Sequence, residues 1–229
     1  MTLAIATDSE RRSEVEHLLE LIASERVRDG SLLESSVSEK AQVCVVGTGA
    51  GGATLAYDLA RRGHSVILIE EGAYRLGRDA SGDLKQSRQR FFREPGQPLV
   101  APGAGLLMPL GRCVGGSTAV SFGSSVRPPD AVLEAWHRDH AVTGLMPEEL
   151  RPYLERVERE LRVAPPEDAT YGQNSRLFER GAENLGYVGS RTQRAARGCL
   201  ATGVCGLGCP QDATQGTQAS YVPAALSHG

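Results

Sequence analysis

No run of apolar residues in this chain approaches the ~18 needed to span a bilayer as a helix, and MTLAIATDSERR turns polar before the apolar segment of a secretory signal could form. The expectation is a cytoplasmic protein with no transmembrane segment. Positive charge is not in excess either: 25 Lys and Arg stand against 28 Asp and Glu, for a net charge of −3. That balance offers no electrostatic footprint for nucleic acid, and no nucleic-acid partner is expected. Cysteine is sparse, with five residues and no secretory signal, which argues against a disulfide scaffold. What remains is ordinary for a globular protein: 40% apolar residues in 229, enough for one large domain or one domain with a smaller appendage.

The densest signal lies in Val43 to Gly72, VCVVGTGAGGATLAYDLARRGHSVILIEEG. Val43-Cys44-Val45-Val46 is a short β-branched run of the kind found in buried parallel strands. Gly47, Gly49 and Gly52 follow as G-x-G-x-x-G where the strand must turn into a helix. In such a unit the first glycine permits the tight turn, the second lets backbone approach a pyrophosphate, and the third lets helix and strand pack closely. The helix N-terminus presents amide groups and the positive end of its dipole to the phosphates. Ala53 to Arg62 reads as the helix, Gly63 as its stop and Val66 to Ile69 as the second strand. Glu70 closes that strand, placed to accept hydrogen bonds from a ribose diol. The glycine pattern alone is unspecific; strand, helix, second strand and acidic end in order make it a dinucleotide-binding unit.

Elsewhere the signals are coarser. Val15, Leu18, Leu19, Ile22 and Val27 fall at roughly helical spacing, so a short amphipathic helix, packed on its own chain or on a partner, is expected before a linker from Ser31 to Lys40. Ala73 to Pro109 is rich in Gly, Pro and Arg and reads as an excursion over a ligand rather than as core. Pro147-Glu148-Glu149 opens a helix whose face carries Leu150, Tyr153, Leu154, Val157 and Leu161. Ser175 to Asn184 is a second one, closed by Gly186, and residues 197–216 are loop-like. Cys44, in the first strand, and Cys113 are expected to be small apolar packers.

A second glycine-rich segment, Gly111-Arg112-Cys113-Val114-Gly115-Gly116-Ser117-Thr118-Ala119-Val120, follows the βαβ unit. Adjacent glycines followed by two hydroxyl residues let backbone lie flat against a large planar or phosphorylated ligand, though a plain glycine turn would read the same way. With the upstream unit, the segment resembles the G-R-x-x-G-G-S-S/T-x-x-N stretch of the glucose–methanol–choline (GMC) oxidoreductases. VILIEEG is similar to that family's strand ending in L-E-A-G. GCPQDATQGTQASYVPAAL resembles the G-C-P-x-G-A-K-x-S-T…Y-L-P-x-A segment of its long-chain alcohol oxidase and sugar dehydrogenase branches. The resemblance covers most of residues 41–229.

By that resemblance the fold is α/β, a Rossmann-like FAD-binding domain with an added helical substrate-side region, and the cofactor is FAD. Gly47, Thr48, Gly49, Gly52 and Glu70 would hold its ADP half. Arg112, Gly115, Gly116, Ser117 and Thr118 would run along the pyrophosphate towards the isoalloxazine. The division it implies is a helical extension and linker over 1–40, the βαβ and GGST segments over 41–130, a helical substrate-side region over 131–196, and a Cys/Gly-rich loop opening the next FAD-domain segment over 197–229. Two positions depart from the family: Ser121 stands where Asn is usual and Thr214 where this branch often has Lys.

The activity implied is oxidation of a CH–OH donor, an alcohol or sugar, with hydride passing to flavin while a histidine takes the hydroxyl proton. That histidine belongs to a C-terminal block not found here. His17, His64, His137, His140 and His228 read as solvated or locally bonded, so no catalytic residue is assigned. The expectation is the N-terminal part of such an enzyme, partnered by a missing C-terminal half or an electron acceptor. A non-catalytic nucleotide binder and another Rossmann-type NAD or FAD enzyme are the alternatives.

Cys199-x5-Cys205-x3-Cys209-Pro210 is the ferredoxin run C-x2-C-x2-C-x3-C-P with Thr202 at its second position. The spacing also resembles the cysteine loop of membrane-bound FAD sugar dehydrogenases, which implies a three-iron cluster on Cys199, Cys205 and Cys209. Structural packing of the three in a loop is the competing reading.

Overall fold

The computed structural model describes residues 8–93, 99–100 and 107–228; the first seven residues of the N-terminal appendage, and residues 94–98 and 101–106 of the long excursion, lie outside the described residues. The chain divides into two compact units, Met1–Phe122 with Arg197–Gly229, and Gly123–Ala196.

The first unit is built on the βαβ crossover. Strands β1 (Val43–Val46) and β2 (Val66–Ile69) pair in parallel, in register from Val43 opposite Val66 to Val46 opposite Ile69. Parallel neighbours need a crossover, and helix α2 (Ala50–Ala60) supplies it. Its buried stripe, Ala53, Ala56 and Ala60, consists of small residues that let the helix lie close to the strands. Gly63, at φ 85°, ends it where the sequence places the stop. The helix begins at Ala50, three residues earlier than Ala53, because the two glycines that weaken helix propensity are here the first turn itself.

β1 is not buried on both faces as its composition suggests. Val45 is buried, whereas Cys44 and Val46 are exposed, Val46 to 81%. Strand side chains alternate, and α2 packs on the Val45 face only, so the expectation that Cys44 is a buried packer is corrected: its thiol faces outward. Cys113 does fill the role foreseen for it, with no solvent exposure.

The segment from Ala73 is a second correction. It holds helix α3 (Leu84–Phe91), capped by the Asp83 carboxylate accepting from the Gln86 amide at 2.8 Å. Phe91 packs with Ala80, Cys113, Ala119 and Val120 in the main apolar cluster of the unit. One deeply buried aromatic makes this stretch part of the core, yet a polar helix such as LKQSRQRF gives no apolar period to read. The chain then forms the short antiparallel pair β3 (Leu99–Val100) and β4 (Leu107–Met108) and runs back beside Phe92 at Gly111.

Two more helices complete this unit. Helix α1 (Asp8–Ala23) carries buried Leu18 and packs on α7 (Tyr221–Ser227), where the Arg26 guanidinium donates to the Leu226 carbonyl. The appendage therefore packs on its own chain. α7 also lies on α2, with the Tyr221 and Tyr57 rings 5.5 Å apart.

The second unit is mainly helical. α4 (Asp130–His140) ends at Ala141 in the left-handed region, and α5 (Pro147–Glu160) opens with proline and with Glu149 accepting from the Met146 amide at 3.0 Å. Strands β5 (Val163–Ala164) and β6 (Arg194–Ala195) pair antiparallel on either side of α6 (Gln173–Asn184). The Arg127 guanidinium grips Glu158 through two contacts of 2.6 Å. Arg191 lies 4.0 Å over the Tyr171 ring while pairing with Asp168 and Glu179.

Candidate cofactor-binding site

The turn from β1 into α2 uses its glycines for different ends. Gly47 sits at φ 95° and donates its amide to the Ile69 carbonyl at 2.7 Å, tying the turn to the end of β2. Gly49 caps α2 with no side-chain hydrogen bond, and the first turn carries no acid. A Cβ on Gly47, Gly49 or Gly51 would meet nothing within 4 Å, so the outer surface of the turn is open backbone. Gly52 faces inward: a Cβ there would lie 2.0 Å from the Gly47 carbonyl oxygen.

Glu70 leaves β2 beside this turn. One carboxylate oxygen accepts from the Thr48 amide at 2.9 Å and the Thr48 hydroxyl at 2.6 Å; the other accepts from the Gly72 amide at 3.0 Å. An ionised carboxylate has room for about four donors, so three fix its orientation and leave acceptor capacity for a ligand hydroxyl.

The second glycine segment is fastened directly to the first. The Gly115 amide donates to the buried Thr48 hydroxyl at 2.9 Å, and a Cβ on Gly116 would lie 3.2 Å from the Gly49 Cα. Gly115 and Gly116 take φ of 95° and 52°, which side chains rarely adopt. The Thr118 hydroxyl donates to the Gly115 carbonyl at 2.6 Å, and Ser117 Oγ accepts from the Gly111 amide at 3.0 Å. The Arg112 side chain is half exposed, with its Nε 3.6 Å from Glu71, which also pairs with Arg93. Ser121, at the position where Asn was anticipated, donates to the Thr118 carbonyl at 3.0 Å. Burial, and secondarily the Glu70 carboxylate, push the Cys113 thiol up to about 12, so it stays neutral beneath the loop.

All ten residues expected at the cofactor thus lie in or beside two touching glycine loops. Sequence reasoning missed the third strand of chain that joins them. The Thr217 hydroxyl donates to the Thr48 carbonyl at 2.8 Å, and its amide donates to Thr118 Oγ1 at 2.9 Å. Tyr74 donates to the Gln218 carbonyl at 2.5 Å, and burial raises its phenol above the ordinary range. Thr217 occupies the threonine position of the G-C-P-x-G-A-K-x-S-T pattern, a signal that was present but carried no role.

The histidines are spread over several elements. His17 lies in α1, His64 follows the α2 stop, His137 Nδ1 sits 2.9 Å from the Val142 carbonyl, His140 ends α4, and His228 stacks near Tyr57. The three-iron expectation finds no support in the structure. Among the described residues no group of three or more His, Cys, Asp or Glu is placed to hold a metal ion. Cys199 and Cys209 accept from the Ala201 and Ala213 amides at 3.4 and 3.3 Å. Nor is any helix among the described residues long and apolar enough to cross a membrane.

Comparison with known proteins agrees with the geometry. The chain is 35% identical over 192 residues to an uncharacterized GMC-type oxidoreductase of Mycobacterium tuberculosis, covering 83% of this chain and 30% of that protein. It is 27% identical over 203 residues to an uncharacterized GMC-type oxidoreductase of Sinorhizobium fredii, covering 89% and 40%. With a long-chain-alcohol oxidase of Arabidopsis thaliana it shares 30% identity over 186 residues, covering 81% and 24%. The chain therefore spans well under half the length of these relatives. A family model described as GMC oxidoreductase matches residues 27–229, the span that contains both glycine loops and the segment joining them. By that match the chain belongs to the GMC oxidoreductase family, with the Rossmann-like α/β fold of its FAD-binding N-terminal domain.

Proposed function

We propose that this chain binds FAD through Gly47, Thr48, Gly49, Gly52 and Glu70 on the ADP side and Arg112 with Gly115 to Thr118 along the pyrophosphate, as the cofactor-binding part of an oxidoreductase acting on CH–OH donors. The observation that carries the reading is the direct fastening of the two loops, the Gly115 amide on the Thr48 hydroxyl and Gly116 against Gly49. A single G-x-G-x-x-G turn suits any dinucleotide. A second glycine loop packed closely against it, with Gly116 on Gly49, adds a further stretch of fixed backbone beside the turn, which suits a cofactor larger than a plain nucleotide. The turn also fits a phosphorylated group chemically: its outer surface has space where side chains would stand, and the α2 N-terminus has no side-chain cap to displace.

Within that site the chain's own residues bind and orient. The first amides of α2 receive the phosphates, and the anchored Glu70 carboxylate accepts from a ribose hydroxyl. Thr48 holds Glu70 and Gly115 at once, so the two loops keep one relative position. Bound FAD supplies a two-electron acceptor for the hydrogen leaving an alcohol carbon. An alcohol substrate is the reading favoured by the similarity to plant long-chain-alcohol oxidases.

The test is purification followed by incubation with FAD and removal of free flavin. A yellow protein with a resolved flavin spectrum supports the proposal. A colourless protein that gains no flavin spectrum sinks it.

A further inference from the structure

We infer that Gly216-Thr217-Gln218 is a latch between the two glycine loops, and that Thr217 is a positioning residue which sets their separation for a ligand spanning both. The affinity part of this inference rests on the FAD-binding reading; the latch itself does not.

The argument begins with hydrogen-bond accounting. Thr217 is 4% exposed and has one hydroxyl proton, which it gives to the Thr48 carbonyl at 2.8 Å; the Gly115 carbonyl lies 3.4 Å from the same oxygen. Its amide goes to Thr118 Oγ1 at 2.9 Å, and the two threonine hydroxyl oxygens lie 3.0 Å apart. One residue thus touches Thr48 in the first loop and both Gly115 and Thr118 in the second. It stands 169 positions from Thr48 and 99 from Thr118 in the chain, so no local turn requires these contacts. An unpaired buried polar group is costly, and each loop therefore settles where Thr217 can satisfy it.

Gln218 locks the latch from the other side. It is 6% exposed, and a Cβ on Gly115 or Gly216 would come within 2.6 or 2.3 Å of its amide oxygen, so glycine at both places makes room for it. That oxygen is fully buried without a hydrogen-bond partner, while the Gln218 carbonyl receives the Tyr74 hydroxyl. The Gln218 side chain is thus wedged between the loop at Gly115 and the chain at Gly216.

The experiment compares the full chain with Thr217→Val and Thr217→Ser. Valine keeps the shape and loses the hydroxyl; serine keeps the hydroxyl. In the ligand-free proteins, hydrogen exchange at the Gly115 and Thr217 amides is expected to rise about tenfold or more in Thr217→Val and to stay within about threefold in Thr217→Ser. Titrations with FAD and with AMP are then expected to show a Kd for FAD raised about tenfold or more in Thr217→Val, with AMP, which lacks the pyrophosphate that runs along the second loop, changed much less. If Thr217→Val does not fold, Thr118→Val, which removes the acceptor of the Thr217 amide, replaces it in the exchange measurement, and Thr217→Ala replaces it in the titrations. Unchanged exchange overturns the latch. Raised exchange with an unchanged ratio of FAD to AMP affinity overturns the positioning role. Wild-type protein that binds no FAD refutes the functional reading instead, and the exchange data still decide the latch.

Discussion

Gly51 and Gly52 are neighbours in the first turn of α2, and alanine at each should move stability in opposite directions. At Gly51 a Cβ meets nothing within 4 Å. The substitution there removes only the entropic penalty of glycine in a helix, a gain of about 0.5–1 kcal/mol. At Gly52 the same gain is available, but the new Cβ lies 2.0 Å from the Gly47 carbonyl oxygen and 3.0 Å from its carbon. Relief needs a movement of more than about 1 Å, set against ordinary carbon contact distances of about 3.5 Å. Gly47 cannot easily give way, because its amide is bonded to Ile69 and its φ of 95° is already fixed by the turn. Overpacking of this kind costs typically about 1–3 kcal/mol, so Gly52→Ala should be a net loss of up to about 2 kcal/mol. Urea unfolding of the ligand-free proteins, followed by circular dichroism with the slope held common, reads both. A Gly52→Ala protein as stable as Gly51→Ala would refute the packing argument for the fingerprint's third glycine.

Two further perturbations probe the same region. Glu70→Gln exchanges a carboxylate that accepts from Thr48 and Gly72 for an amide that presents a donor to one of them. It should lower stability without ligand by about 1–3 kcal/mol, and an unchanged urea midpoint would contradict the anchoring role. Cysteine alkylation under native conditions, read peptide by peptide, should label exposed Cys44 early and Cys113 only on unfolding. Because the Cys113 thiol is raised from 9.0 to about 12 in the folded protein, the unfolded chain loses that proton first. Stability should therefore be intact below about pH 9 and fall as pH rises towards 12, and a flat profile there would show the thiol is not buried.

The βαβ unit was legible because its signals are local. Val43–Val46, the three glycines, Gly63 and Glu70 each specify a conformation within a few residues. What two-dimensional pattern could not show was coverage: VCVV reads as a doubly buried strand, yet α2 reaches only the Val45 face and leaves Val46 and Cys44 open. α3 escaped notice for the opposite reason, since Phe91 is its one buried apolar residue and every position but exposed Leu84 is otherwise polar. The cysteine run had suggestive spacing, but metal binding requires side chains to converge in space, and among the described residues no group of three or more potential ligands does so. Thr217 was invisible as a contact because its partners Thr48, Gly115 and Thr118 lie about a hundred residues or more away in the chain.

The account's central claim is that two glycine loops fastened through Thr48 form one surface for FAD. Its most direct test is an equilibrium titration of the purified chain into FAD, followed by flavin fluorescence. The account predicts saturable binding at one FAD per chain, tighter than the binding of NAD and reversed by excess ADP. Fluorescence that stays flat, or binding of NAD at least as tight as that of FAD, would contradict it.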